Sequence, residues 1–420
     1  MSTPASQKHK SFFVAAAPLF LVLFIDSMGL GLVFPILNAL VIDPHAHFIS
    51  SNLSSNARNL LFGFTISIYM FCWFFGAAFL GDLSDQIGRK KSLMICLVGA
   101  CGGYLASALA VVINSYLLLL IGRIIAGFTA GSQSIAQAAI VDISEPEHKA
   151  RNLGLILFFS SLGFIVGPMI GGILSTSAIL PWFNYAVPFY FAALISLVNA
   201  ALLGWIFKET FLRTKKLHLK LHYALQIFAD AFKNEKIKDL SIIMLVLIFG
   251  WSGIYSFISM YLLEVYQFSS LQTGFYMGLM GVGFGIGTLL VDPLTKRSSL
   301  KQCMIVYTFI AAAGTTLTIL APSVTYIWVY DVFIGIAMAI AYSTILTLFS
   351  NQVDSRSQGW VMGITGAVMA FAFGLNGLLT GILANFSPAT PLIVAIISLI
   401  LSAILMKYLF NDKIPLPVTE

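Results

Sequence analysis

Long runs of apolar residues, separated by short polar and charged segments, follow one another along this chain of 420 residues. A helix needs roughly 20 mostly apolar residues to cross the hydrocarbon core of a bilayer. By that measure the pattern predicts an all-α membrane protein, because lipid offers no partner for unpaired backbone groups. The twelve predicted spans are 12–41, 60–81, 92–113, 115–141, 152–176, 185–207, 238–264, 270–291, 301–321, 325–349, 358–384 and 388–410.

One segment between the sixth and seventh spans is polar and basic. Apolar residues recur within it at helical spacing, namely Leu217, Leu221, Leu225, Phe228 and Phe232. That spacing predicts an amphipathic helix lying along the membrane surface. The segment also divides the chain into halves of six spans each, which is typical of transporters built from two related bundles. We therefore expect an N-terminal six-helix bundle over 1–207, a linker over 208–237, and a C-terminal six-helix bundle with a short tail over 238–420.

Composition and charge agree with this topology. Only 10% of the residues are charged and 59% are hydrophobic, whereas soluble domains have about 25% charged residues. The net charge of +6 does not indicate nucleic-acid binding, because the basic residues lie in short loops between spans. If both termini are cytoplasmic, the outer loops contain only Arg58 as a basic residue. The positive-inside rule therefore predicts cytoplasmic termini.

The sequence contains no pattern for metal binding, nucleotide binding or covalent catalysis. Its four cysteines lie within apolar runs without ligand-like spacing, and His45 and His47 lack further ligands nearby. There is no phosphate-binding Gly-x-x-x-x-Gly-Lys-Ser/Thr loop and no nucleophile–base constellation. We therefore expect neither an enzyme nor a cofactor, so an ion or substrate gradient has to supply the energy.

A charged turn joins the second and third spans. It reads Gly81-Asp82-Leu83-Ser84-Asp85-Gln86-Ile87-Gly88-Arg89-Lys90-Lys91. Such a turn between two spans holds a cytoplasmic hairpin in one geometry. The candidate gate residues are Gly81, Asp85, Gly88, Arg89 and Lys90, together with Asp142 at the cytoplasmic end of span four.

Glycines recur every four residues within span five. The motif consists of Gly154, Gly163, Gly167, Pro168, Gly171 and Gly172, and the glycines that lie four residues apart are Gly163, Gly167 and Gly171. Small residues at this spacing form one stripe that lets another helix approach closely, and the proline removes a backbone donor beside it. The pattern predicts a helix made for close packing and bending.

These strings resemble motifs of one known family. Span one contains Asp26-Ser27-Met28-Gly29-Leu30-Gly31-Leu32-Val33-Phe34-Pro35, and span four contains Arg123, Gly127 and Gly131. Together with the charged turn and the glycine ladder, they make the chain similar to twelve-helix drug:proton antiporters of the tetracycline-efflux type in the major facilitator superfamily. Two positions depart from that pattern: Ala126 replaces the usual Gln, and the second-half turn Asp292–Arg297 is degenerate.

The resemblance implies a fold and a gate. The fold is that of the major facilitators, with two pseudo-symmetric six-helix bundles around a central cavity. Asp85 is expected at the N-terminus of span eleven, near Gln358 and Gly359, where the helix dipole favours an anion. Arg89 is expected to reach Asp142. These contacts would hold the halves together when the cavity opens outward.

Three ionisable residues lie well inside the predicted spans, away from the span ends, and call for an explanation, because each costs roughly 2.5–3.5 kcal/mol to insert. Asp26 and Arg123 lie at similar depths when the helical rise is counted from the span ends. They form either a purely structural ion pair or a proton-coupling site. Asp331, about two turns into span ten, is either a further acid of the cavity or a residue at the outer headgroup boundary.

Polar and aromatic residues on the cavity-lining spans are candidates for substrate binding. Ser134 and Gln137 share the Arg123 face of span four, and they either bind substrate or hydrogen-bond neighbouring helices. Trp251 and Tyr255 share one face of span seven. They either stack against a flat or cationic ligand or pack in the helical core.

The sequence thus predicts a secondary active transporter that works by alternating access. We expect a proton-coupled antiporter that exports a small amphipathic molecule and acts as a monomer in the plasma membrane, with a bacterial inner membrane as the expected site. The alternative is a metabolite, amino-acid or siderophore transporter on the same fold. A non-transporting receptor is disfavoured, because it needs no titratable pair in the cavity.

Overall fold

A computed structural model of the protein describes residues 4–145, 148–210, 222–353 and 357–410. All regular structure in these ranges is helical. The helices are α1 (Pro4–Leu37), α2 (Ser55–Ile87), α3 (Arg89–Val112), α4 (Tyr116–Thr129), α5 (Ser132–Asp142), α6 (Lys149–Leu174), α7 (Val187–Ile206), α8 (His222–Lys233), α9 (Lys238–Tyr266), α10 (Ser270–Thr295), α11 (Leu300–Ile319), α12 (Val324–Asn351), α13 (Gln358–Leu383) and α14 (Thr390–Leu409). A π-helical turn, Asn38–Ile42, continues α1.

The predicted number of spans is confirmed. Within the described ranges, twelve segments are long and apolar enough to cross a membrane, with α4 and α5 together forming the fourth. Helix α8 is the short exception and falls in the predicted linker. The linker residues Leu217 and Leu221 lie outside the described residues, and the limits of the two halves at 207 and 238 stay predictions.

The alternation of twelve spans gives the molecule two ends. One end contains the turns 87–89, 142–149 and 351–358 together with the segment that carries α8, and we call it the basic end. The opposite end contains the turns 42–55, 266–270 and 383–390. Arg58, which the sequence places in an outer loop, lies at the opposite end and is buried there. Its guanidinium donates to the backbone oxygens of Val41 and Ser50 at 3.1 and 2.9 Å.

The two six-helix bundles meet mainly where α2 packs on α13 and α6 packs on α10, and α1 also contacts both α9 and α10. Glycines produce the closest approaches. A Cβ built on Gly63 would lie 2.3 Å from the backbone oxygen of Gly377, and one on Gly274 would lie 2.4 Å from that of Pro168. Side chains larger than hydrogen therefore do not fit where α2 crosses α13 or where α6 crosses α10.

The glycine ladder packs α6 against α1. Cβ atoms at Gly163, Gly167 and Gly171 would lie 2.2–2.5 Å from the backbone oxygens of Phe24, Met28 and Leu32. The predicted single stripe is thus confirmed for these three glycines. Two members of the motif do not belong to it. Gly172 faces α10 at Ser270, and a Cβ on Gly154 would meet no described atom within 4 Å.

Span four is not the continuous helix predicted over 115–141. Helix α4 ends at Thr129 and α5 begins at Ser132. The break lies where Gly131 packs on the backbone of Gly76, with a built Cβ only 2.6 Å away. This close contact with α2 requires glycine on both helices, and the turn between α4 and α5 changes the direction of the side chains that follow.

Helix α8 confirms the predicted linker helix but has a different position. The sequence predicts a helix that lies along the membrane surface, whereas α8 packs against α2, α9 and α13. Ala224 and Ala231 are buried, whereas Leu225 is 53% exposed. Its apolar face is thus covered by protein from both bundles.

Candidate functional site

Asp26 lies in the middle of α1 and is half-buried. The Ser132 hydroxyl donates a hydrogen bond of 2.5 Å to Asp26 Oδ2. Ser132 is the first residue of α5, so the break in span four brings this hydroxyl to the carboxylate. The sequence reasoning missed Ser132, and its position directly after Gly131 was the available signal.

The predicted pair between Asp26 and Arg123 is wrong. Arg123 is 3% exposed, and its guanidinium carbon lies 4.0 Å from the centre of the Tyr69 ring. Its Nε and Nη1 atoms have no hydrogen-bond partner among the described residues. Tyr69 and Tyr104 both interact electrostatically with Asp26 and with Arg123, so these two aromatic residues lie near both charges. Equal depth along two helices did not imply that the side chains face each other.

Asp331 does not open to a cavity shared by the bundles. It is fully buried within the C-terminal half, and the Met280 backbone lies next to its carboxylate. Tyr276 of α10 lies beside it. The close approach of α10 and α12, with Gly283 and Gly335 at the contact, encloses this carboxylate. In this structure Asp331 is therefore reached neither from a cavity between the bundles nor from solvent, and its role in coupling stays a prediction.

Aromatic side chains of both bundles form a continuous series around Tyr255. The ring centres of Phe34 and Phe164, from the N-terminal half, lie 5.3 and 6.2 Å from that of Tyr255. On the other side the series continues from Tyr255 to Trp251 at 5.7 Å. It ends with Phe284 at 6.3 Å from Trp251 and Tyr342 at 6.5 Å from Phe284. We call these six residues the aromatic wall.

Asp26 lies near the level of Trp251. A Cβ on Gly31 would lie 3.2 Å from the Tyr255 hydroxyl, which fixes the register of α1 against α9. On α1, Asp26 lies five residues nearer the basic end than Gly31. On α9, Trp251 lies four residues nearer the basic end than Tyr255. At the helical rise, these offsets correspond to about 6–8 Å. A half-buried carboxylate and a half-buried indole therefore occur at similar depth in the two bundles.

The two polar candidates of span four do not contact Arg123. Ser134 is exposed, and its hydroxyl donates to the backbone oxygen of Gly131 at 3.0 Å. Gln137 is half-buried. Both belong to α5, beyond the break, so the regular turn angle from Arg123 does not apply to them. The shared face and a role in substrate binding both stay predictions.

At the basic end, Arg89 joins the start of α3 to α2 and α5. Its Nη1 donates to Asp85 at 2.7 Å and to Ser84 Oγ at 2.5 Å, and its Nε donates to Asp142 at 3.3 Å. The predicted contact between Arg89 and Asp142 is confirmed. Ser84 in turn donates to the Gly81 backbone oxygen at 2.8 Å.

The same turn is fixed by a residue that the sequence reasoning did not identify. Glu209, directly after α7, accepts hydrogen bonds from the backbone nitrogens of Arg89 and Lys90 at 2.9 and 3.1 Å. A carboxylate at a helix N-terminus satisfies free backbone donors and complements the helix dipole. Gly88 provides the left-handed backbone (φ 101°) that α3 needs to start there, and Lys90 Nζ donates to the Gly204 oxygen at 2.8 Å.

The expected contact between Asp85 and the start of span eleven is not formed. Asp85 pairs with Arg89 of its own bundle, and Gln358 hydrogen-bonds Ser350 of α12. The reason is that the bundles meet nearer the opposite end, where Asn59 bonds Asn385 and Asn38 bonds the Ser259 oxygen, at 3.2 and 2.7 Å.

No group of His, Cys, Asp or Glu within the described ranges has an arrangement that would hold a metal ion. The chemistry of the site is therefore that of one half-buried carboxylate, one buried guanidinium and the aromatic wall. Such groups can bind a proton or a cation and can stack on flat ligands.

Comparisons with known proteins bear on the family and on the fold of the chain. The family model of the Major Facilitator Superfamily matches residues 19–375 and 240–420. A tetracycline resistance protein of class C from Escherichia coli is 26% identical over 349 residues, which cover 82% of this chain and 83% of that protein.

Two solved structures share the fold. The human organic anion transporter MFSD10 superposes with a TM-score of 0.68 at 20% identity, covering 94% of this chain and 99% of that one. A D-xylose–proton symporter superposes with a TM-score of 0.75 at 18% identity, covering 96% of this chain and 98% of that one.

Proposed function

Because the chain belongs to the Major Facilitator Superfamily and is a transporter of that fold, we propose that it is a proton-coupled antiporter. It exports a small amphipathic molecule by alternating access. The proton gradient supplies the energy, and no bound cofactor takes part. Protons and substrate compete for the same part of the protein, which couples their movements in opposite directions.

The observation that carries the proposal is the combination of Asp26 with the aromatic wall. Asp26 is the half-buried carboxylate, and the Ser132 hydroxyl donates to only one of its two oxygens, Oδ2. Trp251, at similar depth, offers a face to a flat or cationic group. An ion inside a membrane is costly unless it has a function or a partner. A cationic substrate and a proton can each neutralise this carboxylate, and binding of one disfavours the other.

Alternating access is supported by the uneven contact between the bundles. Asn59, Gly63 and Gly377 close the interface toward the opposite end, while Asp85 and Gln358 at the basic end bond within their own bundles. By the positive-inside rule we assign the basic end and both termini to the cytoplasm of a bacterial inner membrane. The chain works as a monomer, since one chain contains both halves of the site.

The test is substrate-evoked proton flux in liposomes that contain the purified protein and a pH-sensitive dye. The probes are tetracycline, a lipophilic cation, an amino acid and a siderophore, each added under an imposed pH gradient. We expect tetracycline or the lipophilic cation to evoke proton movement opposite to substrate movement. Flux evoked only by the amino acid or the siderophore favours the alternative transporter, and co-directional movement excludes antiport.

Asp26→Asn fixes the neutral state of the carboxylate and is the decisive variant. We expect it to abolish proton-driven uphill transport while some downhill exchange of substrate remains. Glu264→Gln is the matched control, because Glu264 lies at the opposite end of α9 near Tyr266. Undiminished evoked flux in Asp26→Asn, at wild-type protein amounts, would place the coupling carboxylate elsewhere.

A further inference from the structure

Helix α8 touches both bundles at once. Its Phe228 ring lies 4.4 Å from that of Phe371 in α13 and 5.9 Å from that of Phe74 in α2, measured between centres. Phe232 packs on Phe228 at 5.0 Å. The chain segment between the bundles is therefore packed into the interface itself and does more than connect them.

The position of Phe228 follows from how α2 and α13 diverge. Toward the opposite end they approach to backbone contact at Gly63 and Gly377. Further along, the gap is wide enough for the rings of Phe71 and Phe371, whose centres are 6.1 Å apart. One turn nearer the basic end, Phe74 and Phe371 are 6.2 Å apart and Phe228 contacts both.

Beyond these rings both helices continue for a long distance. From Phe74 to the end of α2 at Ile87, and from Phe371 back to the start of α13 at Gln358, each helix runs about 20 Å. Helix α8 lies against both of them in this region, with Ala224 and Ala231 buried. The small alanines let its backbone come close to the flanking helices.

We propose that α8 is a removable wedge that holds the two bundles apart at the basic end. As long as α8 lies against both α2 and α13, with Phe228 packed on the contact between Phe74 and Phe371, the two helices cannot close beyond that contact. Closure of the basic end therefore requires α8 to withdraw. The ring contacts of Phe228 favour the conformation that is open at the basic end, and their loss favours closure.

Alternating access makes this contact part of every transport cycle, yet the wedge can be tested without any substrate. Failure of this inference is thus separate from failure of the proposed function. The measurement is the distance distribution between spin labels on cysteines at Lys91 in α3 and Met362 in α13, which are exposed positions of the two bundles. The background variant has its four native cysteines replaced.

Phe228→Ala removes the wedge side chain. We expect the population with the shorter label distance to rise about threefold or more, because the aromatic contacts with both bundles are lost. Leu225→Ala is the matched control, since Leu225 is on the same helix and is 53% exposed. The control is expected to keep the wild-type distribution.

Phe228→Trp provides an independent variant with the opposite expectation. The larger ring fills the same gap, so the longer-distance population is expected to increase. An unchanged distribution in Phe228→Ala would overturn the proposal. So would an equal shift in Leu225→Ala, because the effect would then come from loss of helix stability and not from Phe228.

Discussion

Asn59 of α2 donates its side-chain amide to Oδ1 of Asn385, the second residue after α13, at 3.2 Å. This hydrogen bond joins the two bundles at the opposite end, one turn beyond the close contact of Gly63 with Gly381. It thus lies at the outer edge of the seam between α2 and α13. A polar contact at such an edge is easily exchanged for water when the seam opens.

Removing this contact is expected to loosen the closed opposite end. In Asn59→Ala the loss of about 0.5–1.5 kcal/mol raises the open population roughly 2- to 12-fold. A cysteine at Ser67, which is buried behind the contact, reports this opening by its labelling rate with an impermeant thiol reagent. Asn52→Ala, at an exposed position of the same outer turn, is the control. Equal labelling rates in wild type and Asn59→Ala would contradict the assignment.

The glycine stripe of α6 predicts a strong difference between two substitutions in the same motif. In Gly167→Leu the new side chain meets the Met28 backbone oxygen, where even a Cβ would lie at 2.5 Å. We expect overpacking to cost about 1–3 kcal/mol and transport to fail, because α1 is pushed away. Gly154→Leu is the control, since a built Cβ there meets no described atom within 4 Å. Thermal unfolding in detergent and transport in liposomes measure both effects. Equal behaviour of the two variants would mean that the stripe only fills space.

Arg89 is expected to be needed for the geometry of the basic end. Arg89→Ala removes its bonds to Ser84, Asp85 and Asp142. Charge-assisted hydrogen bonds of partly buried groups are worth about 1.5–3 kcal/mol, so transport is expected to fall about tenfold or more. Lys91→Ala, at an exposed neighbour, is expected to transport as the wild type does. The measurement is the initial rate of transport in liposomes that contain matched amounts of each protein. A wild-type transport rate in Arg89→Ala would show that the charged turn is not part of the gate.

The aromatic wall predicts a change in substrate affinity. Trp251→Ala removes one stacking face, and the KM for a flat cationic substrate is expected to rise about tenfold, in line with a desolvated cation–π contact of about 2 kcal/mol or less. Trp205→Ala is the control, because Trp205 is 89% exposed on α7. An unchanged KM in Trp251→Ala would favour the core-packing alternative for this residue.

Asp331 is expected to be dispensable for coupling. Its carboxylate is fully buried beside Tyr276 and away from the aromatic wall. Because Asn is nearly isosteric and neutral, Asp331→Asn is expected to keep the thermal stability and the substrate-evoked proton flux within about twofold of wild type. Loss of flux with unchanged stability would restore Asp331 as a coupling residue.

The sequence predicted those features that depend on local pattern. Span number follows from apolar length, and the stripe of Gly163, Gly167 and Gly171 follows from a spacing of four on a regular helix. The contact of Arg89 with Asp142 came from the family resemblance and not from a physical derivation, although the structure contains it.

Other features depend on contacts that no local pattern records. Ser132, the first residue after the break at Gly131, hydrogen-bonds Asp26 of another helix, a contact that the spacing along span four does not reveal. Glu209 caps α3 from a position 120 residues away along the chain. The amphipathic pattern of α8 predicted an apolar face correctly, but it did not say whether lipid or protein covers that face.

The backbone contacts of the glycine stripe have a mechanical consequence for Asp26. Gly163 lies against Phe24, Ser27 and Met28, which flank Asp26 in the sequence. The two helices are therefore in backbone contact at this depth, and α1 cannot move closer to α6. Further along the same helix, Gly172 touches α10 at Ser270, about 13 Å away by the helical rise. If Asp26 changes charge, a displacement of α1 reaches α6 at Gly163, and the same helix contacts the other bundle at Gly172, with Pro168 between the two contacts. Helix α6 thus connects the surroundings of Asp26 mechanically to the other bundle, and glycine makes the contact at both places.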